Sequence, residues 1–135
     1  EPLVYVTSGA VAGSGAGNML FTDAEKTSWQ TKNVIIVGGS CINSAAASAL
    51  GVSAATCTDA FTTATGVAAG QYLIQSVADK FSSGKLALVV AGYNKDDTVA
   101  AVSKLVNQPA TIDTTAGNKY LGVVGASGSS TISKI

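Results

Sequence analysis

Two unbroken apolar runs, each closed by glycine, set the tightest limit on how this chain folds. NVIIV at 33–37 runs straight into Gly38 and Gly39, and LALVVA at 86–91 runs into Gly92. A strand with one face in water alternates apolar and polar residues. A strand covered on both faces does not, and such unbroken runs suit parallel strands with helices packed above and below. The chain between the two runs is long enough for the crossover that a parallel pair requires.

The intervening and flanking segments predict the rest. Ser40 stands as a helix N-cap before CINSAAASAL at 41–50, with Gly51 as the residue that ends the helix. Residues 52–65 read as a Thr/Ala loop carrying Cys57. Residues 66–81 (GVAAGQYLIQSVADKF) place Val67, Tyr72, Ile74, Val77 and Phe81 at roughly helical spacing, which predicts a second helix. Asp96, Asp97 and Thr98 open a third, running to about Val106 with Pro109 beyond its end. YLGVV at 120–124 predicts a closing strand, and LVYVT at 3–7 another near the N-terminus. The expected fold is α/β: a small three-layer core with a short parallel sheet flanked by helices, and β-rich N- and C-terminal segments. Residues 1–135 are expected to form a single domain with its core at 33–124. The N-terminal segment 1–32 and the Gly/Ser-rich tail 125–135 are candidates for contact between subunits.

Composition narrows the function. Ala, Gly, Ser and Thr number 22, 15, 15 and 14 of 135 residues, so close packing of backbone is available almost everywhere. Charged residues are 12% of the chain, about half the usual share. Eight Lys balance eight acids, with no Arg and no His. With no basic excess and no Arg for base contacts, nucleic-acid binding is not expected. Without His, Ser-His-Asp and Cys-His catalysis cannot be built from this chain, and the commonest metal ligand is missing. No apolar stretch approaches the ~18 residues that suggest a membrane span. Few charges and zero net charge leave little repulsion against self-association. The first residues, Glu1 and Pro2, without an initiator Met, point to a mature product or an excised piece.

Cys41 and Cys57 are the only cysteines, and their spacing permits one disulfide, which would imply an oxidising compartment. The alternative is a pair of reduced thiols acting as small hydrophobes. Neither C-x-x-C nor a closed zinc set can be made from them.

Other motifs carry weaker signals. Gly38-Gly39-Ser40 after a strand lacks both the G-x-G-x-x-G dinucleotide pattern and the G-K-[ST] of a phosphate loop. It reads as a tight turn before a helix, with room for at most a small anion. Asp96 and Asp97, with Asp59 or Asp113, offer carboxylates for a hard cation, but adjacent acids beside Lys95 fit helix capping better. Tyr93 and Asn94 follow a strand end, where α/β folds place ligands, yet have no companion base or nucleophile.

Several of these segments together resemble a family. NVIIVGGSCINSAAASALG from Asn33, TGVAAGQYLIQSVADKF from Thr65, GKLALVVAGYNKDDTVAAVSKLV from Gly84 and the later TIDTTAGNKYLG resemble a domain of archaeal surface-layer proteins. The likeness covers roughly residues 33–122. It implies an extracellular structural role in which copies tile outside the cell. It implies no catalytic residue, and no cofactor-binding or metal-ligating residue is assigned. The resulting expectation is a non-enzymatic subunit or domain of a cell-surface layer or filament. Its partners would be copies of itself, with cell-wall polymer or other surface proteins beside them. Strand addition by Leu3, Val4, Tyr5, Val6 and Thr7 is the expected mode of assembly. The alternative is a cell-wall or glycan-binding surface module, in which Trp29 or a Tyr would stack on sugar.

Overall fold

A computed structural model describes residues 3–7, 20–125 and 129–135 of the chain, with residues 3–7 described as backbone. Strand β1 spans Leu3–Thr7 and β2 Leu20–Thr22. A single helical turn, α1 (Lys26–Trp29), leads into β3 (Asn33–Val37). Helices α2 (Ser44–Leu50) and α3 (Thr58–Thr65) follow, then β4 (Gln71–Ala78) and β5 (Leu86–Gly92). Helix α4 (Lys95–Asn107), a 3-10 turn at Pro109–Thr111, β6 (Lys119–Val124) and β7 (Ser130–Lys134) complete the order.

The seven strands of the described residues join one sheet in the order β2-β1-β3-β5-β4-β6-β7. The content is mixed α/β, but the expected short parallel sheet is not what forms. Among the described residues only β3 and β5 run parallel, from Val34 opposite Ala87 to Val37 opposite Val90. Every other pairing is antiparallel.

The reason lies in the segment read as a helix. Residues 71–78 form strand β4, inserted between β5 and β6. Tyr72, Leu73 and Ile74 are consecutive and all fully buried, which is the signature of a strand covered on both faces. Leu73 enters one apolar cluster while Tyr72 and Ile74 enter the other. Apolar residues that contact both clusters fall, by accident, at intervals that also suit a helix. The loop expected over 52–65 is likewise in part a helix, α3, whose Thr-rich sequence has little helical preference of its own. Its Phe61 is buried in the first cluster.

Alternation along each strand divides the core in two. Val34, Ile36, Leu73, Ala87, Val89 and Ala91 meet Trp29, Phe61 and the alanines of α2 on one face. Tyr72, Ile74, Leu88, Val90 and Tyr120 meet Ala100 and Ala101 of α4 on the other. Alanine at 45, 46, 47 and 49 gives α2 a buried face with little side-chain bulk, so the helix lies close to the sheet. Trp29 meets Phe81 edge to face at 5.0 Å, closing the first cluster from the side.

The terminal segments are part of this sheet. Strand β1 lies between β2 and β3, pairing along its whole length with β3 from Leu3 opposite Val37 to Thr7 opposite Asn33. In the tail, residues 130–134 pair with β6 as strand β7.

Candidate functional site

The parallel pair ends at a crevice of about 320 Å³, bounded by Val37, Gly38 and Gly39 on one side and Gly92, Tyr93 and Asn94 on the other. Cys41, Ile42, Lys95 and Thr98 complete its wall. Local chemistry explains why the chain turns here. Gly38 takes φ +117°, a conformation that strains any residue with a Cβ, and its N–H donates to Val90 O at 2.9 Å. Gly92 packs against the first turn of α4 so closely that a Cβ would collide with Thr98 N.

Several polar groups around the crevice are already engaged. Asn43, not Ser40, caps α2: its Oδ1 accepts from Ala45 N at 2.9 Å and Ala46 N at 3.2 Å, while Nδ2 donates to Val37 O at 3.0 Å. Asp23 Oδ2 takes the remaining first-turn donor, Ser44 N, at 2.8 Å, together with Ser44 Oγ at 2.7 Å. Three consecutive helix N–H groups are therefore filled from within the chain, which removes the small-anion reading of the Gly-Gly-Ser turn. Asn94 Oδ1 caps α4 through Asp97 N at 3.0 Å, and Thr98 Oγ1 accepts from Gly92 N at 2.9 Å. Burial alone would raise the Asp23 pKa, but the hydrogen bonds from Ser44 and the nearby backbone outweigh it and hold the carboxyl below its ordinary value.

Cys41 and Cys57 form a disulfide with Cα atoms 4.6 Å apart. Beside it, buried Ser40 donates from Oγ to Thr56 O at 2.8 Å. The two links pin the 52–57 loop to the start of the α2 turn. The backbone there is strained: Ala55 and Thr58 stand at φ +60° and +50°, costing about 1–3 kcal/mol each.

The remaining sequence candidates scatter. Asp97 is buried and accepts from Gly70 N at 3.1 Å, Asp113 accepts from Thr115 N and Oγ1, and Asp59 lies in the first turn of α3. Among the described residues no group of three or more acids and cysteines lies where it could share a metal ion. Trp29 is 1% exposed, and its Nε1 donates to Thr22 O at 3.1 Å, so it is not a sugar-stacking platform. Leu3–Thr7 is paired along its length with β3, and Leu3, Val4 and Tyr5 with β2 as well, so use of the whole strand in assembly would require exchange between copies.

Two features of the sequence gave little warning. Asp23 lies in the polar stretch 22–32, and Asn43 lies inside the helix predicted over 41–50. An Asn two residues before a run of alanines was the available signal for the cap.

Compared with known proteins, the chain matches no protein-family model, no curated protein and no solved structure. Among the described residues no helix is long and apolar enough to cross a membrane.

Proposed function

We propose that this chain is an extracellular structural unit, a subunit or domain of a cell-surface layer or filament that works by packing against copies of itself. The observation that carries the extracellular part is the Cys41–Cys57 disulfide, a bond that persists in oxidising surroundings. The assembly part rests on the resemblance of residues 33–122 to surface-layer domains and on a neutral, charge-poor chain. In this reading the fold is a three-layer unit, with α2 and α3 on one face of the sheet and α4 on the other. No catalytic role is assigned to any residue.

The test is microscopy and sedimentation of the full chain at rising concentration, with the disulfide intact. Sheets, fibres or a concentration-dependent rise in mass are the expected result. A persistent monomer at millimolar concentration rejects the reading. Titration with cell-wall fragments tests the glycan-binding alternative, for which Tyr93 at the crevice is the aromatic that remains.

A further inference from the structure

The two edges of the sheet are not alike. Strand β2 has three residues, and its own chain folds across it. Thr22 N and Oγ1 both donate to Glu25 Oε1, at 2.9 and 3.0 Å, while Thr22 O accepts from Glu25 N and from Trp29 Nε1. An edge that is short and covered resists pairing with another strand.

Strand β7, at the other end, pairs among the described residues with β6 alone, which leaves its outer edge open. Ile135 N donates to Lys119 O at 2.8 Å and Gly125 N to Ser129 O, which sets the hydrogen-bonded parity of the β6–β7 ladder. Thr131 and Ser133 therefore turn their backbone groups inward to β6. Ser130, Ile132 and Lys134 turn theirs outward, and no partner for those groups is found among the described residues.

We infer that β7 is a pairing surface for β7 of a second copy, antiparallel about a two-fold axis through Ile132. This deepens the assembly reading and rests on it, adding the surface and the symmetry. In that register Ile132 faces the partner's Ile132, and Ser130 faces the partner's Lys134. The outward residues form three hydrogen-bonded pairs of two bonds each, and the pairing is self-complementary, as an isologous dimer requires.

Side chains agree with the register. Ile132 is half-buried against the cluster beneath α4, so facing isoleucines extend that core across the axis. Each Lys134 stands opposite a serine and not opposite its own copy. An edge lysine that met its own copy would instead block pairing. A trough of about 310 Å³ beside Ser130, lined also by Ser103, Asn107 and Gln108, leaves room for the incoming lysine. Lys104 lines the same trough, so added salt, by screening the two ammonium groups, strengthens the pair. A five-residue strand pair is mostly backbone and falls below the ~1,200 Å² of a stable interface, so association is expected only at high concentration or within a larger array.

The experiment uses the full 135-residue chain with Cys41 and Cys57 oxidised. Sedimentation equilibrium should give a monomer–dimer transition that tightens with salt. Lys134→Pro removes an outward N–H and should weaken it at least tenfold while leaving the unfolding midpoint nearly unchanged. Ser133→Pro removes an inward N–H and should instead lower the midpoint. Ile132→Cys should cross-link to its own copy under mild oxidation, because Cα atoms of a hydrogen-bonded pair lie about 5.5 Å apart. Leu20→Cys on the covered edge should not. If the chain assembles but Lys134→Pro assembles equally well, or Ile132→Cys fails to cross-link, the β7 pairing is wrong and the assembly reading stands. If the native chain stays monomeric throughout, both fall.

Discussion

Tyr72 on β4 lies directly across from Gly122 on β6, and its ring fills the space a Cβ at position 122 would occupy. The phenol then continues outward to meet Ser130 Oγ on β7 at 2.8 Å. One side chain thus ties three neighbouring strands together, and it can do so only because its partner across the ladder has no side chain.

Gly122→Ala should therefore cost stability by overpacking, about 1–3 kcal/mol, since a fully buried ring has no free space to move into. Denaturant unfolding measures it. A midpoint equal to that of the native sequence would show that the ring relocates freely.

Alkaline pH should act through the same residue. Burial raises the Tyr72 pKa above its ordinary value of 10.0, only partly opposed by the Ser130 hydrogen bond. The folded state therefore holds the proton more tightly than the unfolded state. The resulting stability is fully present below about pH 10 and is lost as pH rises through the higher folded value. Tyr72→Phe should flatten this part of the profile, at the cost of the Ser130 hydrogen bond at all pH values. An unchanged alkaline slope in Tyr72→Phe would assign the loss to other groups.

Acid should release the clamp between Asp23 and Ser44. The folded Asp23 pKa lies below its ordinary 3.8, so this contribution is present above that value and fades as pH falls through the folded one. Asp23→Asn should reduce stability at pH 7 by about 1 kcal/mol, the usual loss when a charged helix-end acceptor is replaced. The difference between the two proteins should shrink toward pH 2. A constant difference across that range would mean that the charge plays no part.

Replacing Cys41 and Cys57 together by serine should cost about 3 kcal/mol for a loop of this length. Some of that loss is offset if the freed loop relaxes the left-handed backbone at Thr58. Thermal unfolding with and without reductant gives the number directly. Equal melting of oxidised and reduced protein would contradict the pinning role.

Removing residues 1–7 should do more than block a mode of assembly. Strand β1 covers one side of β3, so its loss exposes the apolar edge of β3, a member of the parallel pair. Lower solubility and a lower unfolding midpoint are expected. A shortened chain that stays as stable and as soluble as the original would mean β1 is dispensable to the fold.

Some of this architecture was legible from local pattern. The runs at 33–37 and 86–91 are strands, and they are the parallel pair. Helix α4 begins at its Asn-Lys-Asp-Asp turn and stops before Pro109, because caps and proline act within a few residues. The disulfide was allowed by spacing, and the fold brings its two cysteines together. The candidate crevice was foreshadowed by glycines at strand ends, but the fate of its polar groups was not. Asp23 reaches Ser44 across 21 positions of chain, and no local rule links them.

What the sequence determined by itself was therefore whatever neighbouring residues decide: buried strands, capped helix ends, tight glycine turns, and the exclusion of histidine and arginine chemistry. Features that depend on partners distant in the chain were settled by packing and strand pairing instead. Residues 71–78 carry apolar side chains that satisfy either period, and they become a strand because β5 and β6 supply ladders on both sides while helices cover both faces. The same dependence makes β7 an open edge and β2 a covered one. Edge character belongs to strand order and parity, and these are set only when distant segments pair.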